Sequence, residues 1–578
     1  MEVLHLSWKI KQQLQNILEQ EDGYSVFPAG FRTRFALCYP NQYNVGMSNL
    51  GFHIIYEQIN SRMDSAAERF FMPEPDLKKQ YENSNTPLLS LESQKPLYEF
   101  PLIGFAVSFE LDYFNILSML SLGKVELLAS KRDENDPIVV AGGPCATFNP
   151  EPLSLFVDVF IIGEGEEIIN NFLDTYMLAR GKNLSRRDVL LKLAELPGIY
   201  VPCFYTHTYD DSGKLAAIMP NAEVPTKIRR QWIKDLDKYP AHTIIKSNQT
   251  EFSFYLIETA RGCGRHCRFC MAGYCFRKPR NRSLEKIKQM VDAVPDRQKI
   301  GLMGPAVSDH PQIDELCQYI HDSNHPMSVA SFRADSVTQT LVNNLADSGQ
   351  KTLTLAPEAG SVKLRNIINK GISDENLYTS IDMGIQAGVK NFRLYIMVGL
   401  PEEDDSDIEA IISMAHNLRK YMNDHKAHGK LTLSINPFVP KPFTPFQWLP
   451  MADMKKISAV LKYIKNTLKK EKNMEILIES PKESYLQGIL ARGDRKISQM
   501  IYEAHLEGGG KKLQRVMKKH DLNEDFYLYR QRDIDELMPW DTLDMGVKKE
   551  YFIQELEMAK QQKNTITCFD NCKRCGVC

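Results

Sequence analysis

No apolar run in this chain approaches the roughly 18 residues a membrane-spanning helix requires, which excludes an integral helical membrane protein. The opening segment, "MEVLHLSWKIKQQLQNILEQEDGY", lacks the charged start and apolar block of a secretory leader and reads as an amphipathic helix, so a soluble, cytoplasmic protein is expected. Neither sign of charge dominates: Lys+Arg 71 against Asp+Glu 73 leaves a net charge of −2. No global field recruits nucleic acid, and any basic surface must be local. Cysteines, 12 in 578 residues, are too sparse for a disulfide scaffold, and a reducing compartment keeps them as thiols. What is present is 43% apolar residue content, ample for about three or four cores of ordinary size.

The thiols divide unevenly. Cys38, Cys145, Cys203, Cys275 and Cys317 are scattered, whereas Cys263, Cys267 and Cys270 fall within "RGCGRHCRFC" and Cys568, Cys572, Cys575 and Cys578 within "CFDNCKRCGVC". Clustered thiols in a reduced chain imply metal or catalysis. The first cluster, C-x3-C-x2-C, follows an apolar strand-like run, "FSFYLIETA", and three thiolates hold three corners of an iron-sulfur cube with one iron left open. The alternative is a zinc knuckle completed by His266. In this spacing, and in Phe269 between the last two cysteines, the chain resembles the radical S-adenosylmethionine (SAM) superfamily. That resemblance implies a 4Fe-4S cluster on Cys263, Cys267 and Cys270, SAM on the open iron, and contact of the backbone at Phe269 with the adenine.

Six β-rich runs follow at helical intervals: "FSFYLIETA", "KIGLM", "MSVASF", "KTLTLA", "NFRLYIMV" and "LTLSIN". Strands alternating with helices such as "SLEKIKQMVDAV" imply parallel pairing, and six units predict an open (β/α)6 partial barrel with its site at the C-terminal strand ends. Those ends carry Gly304, Pro305 and Ala306, then Arg333 and Asp335, then Glu358, then Val398 and Gly399, then Asn436. The resemblance implies that they contact SAM. "MGPA" departs from the superfamily's usual Gly-Gly-Glu, so the contact to the SAM amino group is expected to differ.

Upstream, "TRFALCYPNQYNVGMSNLGFHIIYEQIN", "FPLIGFAVSFE", "PIVVAGGPCA" and "VDVFIIGEGEEII" predict a doubly wound α/β domain that binds ligand where the strand order reverses. "AGGPCATFNPEP" followed by "GEGEE" resembles the cobalamin-binding domains that precede many radical SAM cores. No Asp-x-His-x-x-Gly occurs between residues 31 and 180, so either cobalamin is held without that histidine or the domain keeps the fold without the cofactor. The predicted organisation is an N-terminal helix (1–30), a cobalamin-binding-like domain (31–180), a connector with an Asp-Ser-Gly hairpin (181–250), a radical SAM core (251–450), a mainly helical accessory region (451–550) and a cysteine-rich tail (551–578). The lysines and arginines of the accessory helices are expected to form a solvated face.

Over nearly its whole length, including "LAPEAGSVKLRNIINKG" and "ARGDRKISQMI", the chain resembles an uncharacterised radical SAM family with a cobalamin-domain-like N-terminus. The resemblance implies a reductant such as flavodoxin or ferredoxin, and a separately encoded partner protein. Methyl or methylthio transfer to an unactivated carbon is the expected reaction. Rearrangement or cyclisation beside a vestigial cobalamin domain, and a non-catalytic iron-sulfur or zinc RNA-binding protein, are the alternatives. Residues 261 to 282 hold seven cations and no carboxylate (Arg261, Arg265, Arg268, Arg277, Lys278, Arg280 and Arg282). They offset an anionic cluster or steer an RNA substrate to the barrel mouth. The tail's four cysteines, all within eleven residues, have compact ferredoxin-like spacing and predict a second 4Fe-4S cluster, with zinc as the alternative.

Overall fold

The computed structural model describes residues 2–28, 30–569 and 571–577; Cys578 lies outside them. The chain is an α/β protein built on parallel sheets. Helix Glu2–Leu18 leads into a six-stranded sheet in the order Ser65–Phe71, Thr33–Tyr39, Leu102–Ala106, Ile138–Gly142, Val159–Ile161, Ile199–Tyr200. All but the last pair in parallel. Chain direction through the sheet reverses between Thr33–Tyr39 and Leu102–Ala106, which puts the ligand crevice at their carboxyl ends. Ser65–Phe71 has no apolar run to announce it, because it carries Glu68 and Arg69 inward. Arg69 is fully buried and held by Glu21 (2.6 Å) and Glu92 (2.6 Å), a pairing that offsets the cost of desolvating its charge.

The hairpin Tyr205–Tyr209 with Leu215–Pro220 closes through an Asp-Ser-Gly turn, where the Gly213 amide donates to the Asp210 carbonyl. Beyond it the chain alternates strand and helix. Tyr255–Glu258, Ile300–Met303 and Met327–Ser328 form one parallel sheet. Thr352–Glu358, Asn391–Val398, Leu431–Pro437 and Met474–Ile478 form another. A parallel bridge between Phe332 and Leu355 joins the two. The open curve therefore has seven strands rather than the six read from sequence, and of "MSVASF" only Met327–Ser328 is a strand. In Asn391–Val398 alternate residues are buried, so Phe392, Leu394, Ile396 and Val398 form the apolar side while Arg393, Tyr395 and Met397 share the half-buried row. Helix Asp405–Asp424 starts on a capping box between Asp404 and Asp407, which satisfies its first amides and fixes where the chain leaves the preceding strand.

The segments after Met474–Ile478 fold back over the first domain. Helix Arg495–Leu506 packs on it, and Leu543–Asp544 pairs in parallel with Ile228–Arg229. Arg492 is 1% exposed, and Arg495 reaches Glu151 at 2.7 Å, Tyr200 at 2.9 Å and the Tyr205 carbonyl at 2.6 Å. These two arginines are internal clasps, which corrects the expectation of a solvated face at "ARGDRKISQMI".

Candidate active site

The first two cysteines of C-x3-C-x2-C sit on the turn that leaves Ala260–Arg261, and Arg280–Asn281 returns beside it in antiparallel pairing. Burial raises the thiols of Cys263 and Cys270, and the neighbouring thiols push in the same direction: Cys270 reaches about 12 under burial, then Cys267 and Cys263. The three thiols therefore lie within electrostatic reach of one another. Arg333 reaches the Cys267 sulfur at 3.7 Å, a cation placed against thiolate charge. Among the described residues no three His, Cys, Asp or Glu side chains close on a point suited to a single ion. The donor set, three converging thiols with no fourth, fits a cube that spreads its ligands over several irons.

His266 does not complete a zinc knuckle. It is buried, its Nε2 accepts from Arg277 at 2.8 Å, and its Nδ1 hydrogen-bonds the Tyr551 hydroxyl. Burial first, then the charges of Arg277, Arg574 and Arg268, lower its pKa to about 2. With both ring nitrogens engaged, it is a neutral structural group facing the tail.

Of the strand-end residues, several meet beside the cysteines. Arg333 is paired to Asp335 (3.0 Å) and donates to the Lys370 carbonyl (2.5 Å), Asp335 pairs with Arg265 (3.1 Å), and Lys370 pairs with Glu358 (3.1 Å). Phe269 is half-buried in the cysteine loop, and Asn436 lies opposite Met397 on the half-buried row. Ala306 follows Gly304 and Pro305 at the mouth of Ile300–Met303. Val398 is fully buried, and the Gly399 amide donates to Glu403 at 2.8 Å. Lys370 and Asn369, from "NIINKG", carry contacts that the strand-end reading did not single out. Asn369 donates to the carbonyls of Arg265 (3.2 Å) and His266 (3.1 Å) and fixes the cysteine loop.

The basic run beside the cysteines is turned inward. Arg268, Arg277, Arg280 and Arg282 are 0%, 1%, 8% and 1% exposed. Arg280 pairs with Glu164 at 2.6 Å, Arg282 with Glu258 at 2.5 Å, and Arg261 with Glu164, Glu166 and Glu258 within 3.1 Å. Burial would raise the Glu164 carboxyl, but hydrogen bonds from Arg280 and the charge of Arg261 outweigh it and hold it below the ordinary range. Carboxylates brought by the fold pair Arg261, Arg265, Arg268, Arg280 and Arg282, and only Lys278 is exposed among the four residues 277, 278, 280 and 282.

A cavity of about 620 Å³ opens where the two sheets face each other. One wall is the reversal point of the six-stranded sheet: Leu37, Asn49, Ala106, Ser108, Gly142 and Gly143. The other is the cysteine loop and neighbouring strand end: Gly262, Ala272, Phe276, Gly304 and Pro305. Two glycines let the backbone of the first wall pack closely on neighbouring segments. Gly143 has φ +100° and a Cβ there would lie 2.8 Å from the Val107 carbonyl oxygen; Gly163 has φ +120° and a Cβ would lie 2.0 Å from that of Gln231. Tyr43, in the turn after Thr33–Tyr39, does not line this wall, its hydroxyl donating to Glu21 at 2.5 Å.

Comparison with known proteins identifies the family. Residues 51–202 match the family model described as the N-terminal region of radical SAM proteins, and residues 257–415 match that of the radical SAM superfamily. Uncharacterized protein MJ0966 of Methanocaldococcus jannaschii is 30% identical over 475 residues, covering 81% of this chain and 90% of that one. An uncharacterized methyltransferase, PH0819, of Pyrococcus horikoshii is 24% identical over 312 residues, 51% of this chain and 61% of that one. Among solved structures, the radical SAM methyltransferase TsrM from Kitasatospora setae, with cobalamin and a [4Fe-4S] cluster bound, superposes with a TM-score of 0.46 at 12% identity over 72% of this chain and 74% of that one. The cobalamin-dependent SAM radical enzyme OxsB, with aqua-cobalamin and SAM bound, gives a TM-score of 0.46 at 13% identity over 92% and 79%. The superfamily model falls on the stretch that carries the three converging thiols, and the archaeal relative is matched over nine-tenths of its length: this chain is an enzyme of the radical SAM superfamily.

Proposed function

We propose that this enzyme transfers a methyl group to an unactivated carbon, using a 4Fe-4S cluster on Cys263, Cys267 and Cys270, SAM at the open iron, and cobalamin in the cavity. One observation carries the reading: a single cavity is walled by both the reversal point of the first sheet and the mouth of the second. A ligand of either domain would share that space, as relay of a methyl group requires. The cluster supplies the electron that cleaves SAM, and cobalamin supplies a methyl carrier.

The chain's own residues divide the remaining tasks. Gly304 and Pro305 present backbone to the cavity, Arg333 and Lys370 bring positive charge beside the thiols, and Glu358 holds the Lys370 ammonium in place. The buried Arg261, Arg280 and Glu164 network ties the two walls together and fixes the width of the cavity. The first wall presents no His, Cys, Met or Lys among its described lining residues, so cobalamin would be held without a protein ligand from below. A low-potential one-electron carrier is the reductant.

The test is anaerobic reconstitution with iron and sulfide of protein produced with hydroxocobalamin. The reading expects about one cobalamin per chain, conversion of SAM on reduction, and loss of the pigment in Ala106→Trp, which fills the wall while leaving the iron content unchanged. Protein that stays colourless after iron removal would overturn cobalamin and shift the reaction toward rearrangement or cyclisation.

A further inference from the structure

We infer that Cys568, Cys572 and Cys575 hold a second 4Fe-4S cluster that passes single electrons to the cluster at Cys263, Cys267 and Cys270; Cys578 lies outside the described residues. The inference rests on the first-cluster reading and adds a site to it. The tail is built onto the back of the cysteine loop. The Cys568 amide donates to the Gly264 carbonyl at 2.9 Å, and the Lys548 amide to the Cys575 carbonyl at 2.9 Å. Arg268 holds the Lys563 carbonyl at 2.7 Å, and Asn369, which already holds the cysteine loop, accepts from the Thr565 amide at 2.8 Å.

Two features of this segment call for a bound thiolate cluster. Its packing is inverted: Ile566 and Phe569 are 68% and 57% exposed while Cys572 and Cys575 are 3% and 2% exposed. Burial of apolar side chains therefore does not organise the tail; the thiols turn inward in their place. The second feature is Arg277. Its guanidinium is 1% exposed, its Nη2 lies 2.8 Å from the Cys568 sulfur, and its Nη1 has no hydrogen-bond partner among the described residues. No carboxylate pairs with it among the described residues, and its other neighbour is the His266 ring at 2.8 Å. A buried cation without an anion is strongly unfavourable, and a cube ligated by thiolates supplies the missing negative charge. Arg574 repeats the arrangement, its Nε 3.2 Å from the Cys572 sulfur. The spacing of four cysteines within eleven residues favours a cube over zinc.

Placement selects electron relay over sulfur donation. No described residue of the tail lines the cavity, whereas the loop that carries Cys263 reaches it through Gly262, so the tail lies behind the first cluster rather than beside the substrate. The Cys568 amide instead meets the carbonyl of Gly264, the residue that follows Cys263. One electron from a reduced carrier of the flavodoxin or ferredoxin class takes the tail cluster from the 2+ to the 1+ state. Passing it on returns the tail cluster to 2+ and reduces the first cluster from 2+ to 1+, with no bond made or broken.

The experiment compares the intact chain with two triple variants, Cys568→Ser/Cys572→Ser/Cys575→Ser and Cys263→Ser/Cys267→Ser/Cys270→Ser, after anaerobic reconstitution, with thermal melts confirming that each is folded. The intact chain is expected to hold about eight irons and each variant about four, since each cube holds four. The tail variant should cleave SAM at an undiminished rate with dithionite but at least tenfold more slowly with reduced flavodoxin. Unchanged iron in the tail variant, with zinc lost instead, would overturn the second cluster; equal rates with both reductants would overturn the relay. Failure of the underlying reading has a separate signature, unchanged iron in the variant of the first three cysteines.

Discussion

Arg495 and Glu151, 344 residues apart in sequence, are joined at 2.7 Å between the accessory helix and the first domain. Glu151 is fully buried and also accepts from the Tyr200 hydroxyl at 2.5 Å. Removing the cation leaves a buried carboxylate uncompensated, which costs about 3 to 5 kcal/mol. Arg495→Ala is therefore expected to lower the melting temperature markedly, and Arg495→Lys to recover part of the loss because it restores charge without the planar fork. Calorimetry of both variants checks this.

The Glu164 network predicts a pH dependence with a definite sign. Its folded pKa lies below the ordinary glutamate value of about 4.3. Its contribution is complete above that value and is lost as pH falls through the lower folded pKa. Glu164→Gln should therefore be less stable than the native chain at pH 7 and approach it as pH falls below about 4.3. Melting curves between neutral pH and pH 3.5 would show a constant difference if the network contributed nothing.

Arg277→Met tests the cation that faces the tail. It keeps much of the side-chain volume and removes the charge, so iron should fall to roughly half, from the tail site alone, as each cube holds four. Full iron in that variant would show that the guanidinium does not support the second site.

Glu358→Gln removes the charge that holds Lys370 at 3.1 Å. Loss of a charge-assisted hydrogen bond of about 1.5 to 3 kcal/mol predicts a rise of roughly tenfold or more in the KM for SAM, with iron content unchanged. Iron lost together with SAM binding would give Glu358 a structural role instead.

The sequence made parts of this architecture legible and hid others for identifiable reasons. Asn391–Val398 and Leu431–Pro437 were readable because both are β-rich runs bounded by helices with clear caps. Ser65–Phe71 was not, because Glu68 and Arg69 break its apolar pattern and their partners Arg34, Glu21 and Glu92 lie on other segments. Met474–Ile478 follows a lysine-rich helix and is only half-buried on the outer edge of its sheet, so its weak signal resembled accessory structure. The three cysteines stood out through their spacing and through the superfamily resemblance that it carries, and the superfamily match falls on them. The partners of the cations around them were hidden, since local sequence shows seven positive charges and no carboxylate whereas the fold brings Glu164, Glu166, Asp309 and Glu555 to them from elsewhere. The cavity could be placed only once the strand order was known, because its two walls come from different domains.

The most direct test of the account is SAM cleavage by the reconstituted enzyme in which Cys263, Cys267 and Cys270 are all replaced by alanine. The account predicts a folded protein that yields no 5′-deoxyadenosine on reduction, while the native chain does. Cleavage by the triple variant at the native rate would contradict it.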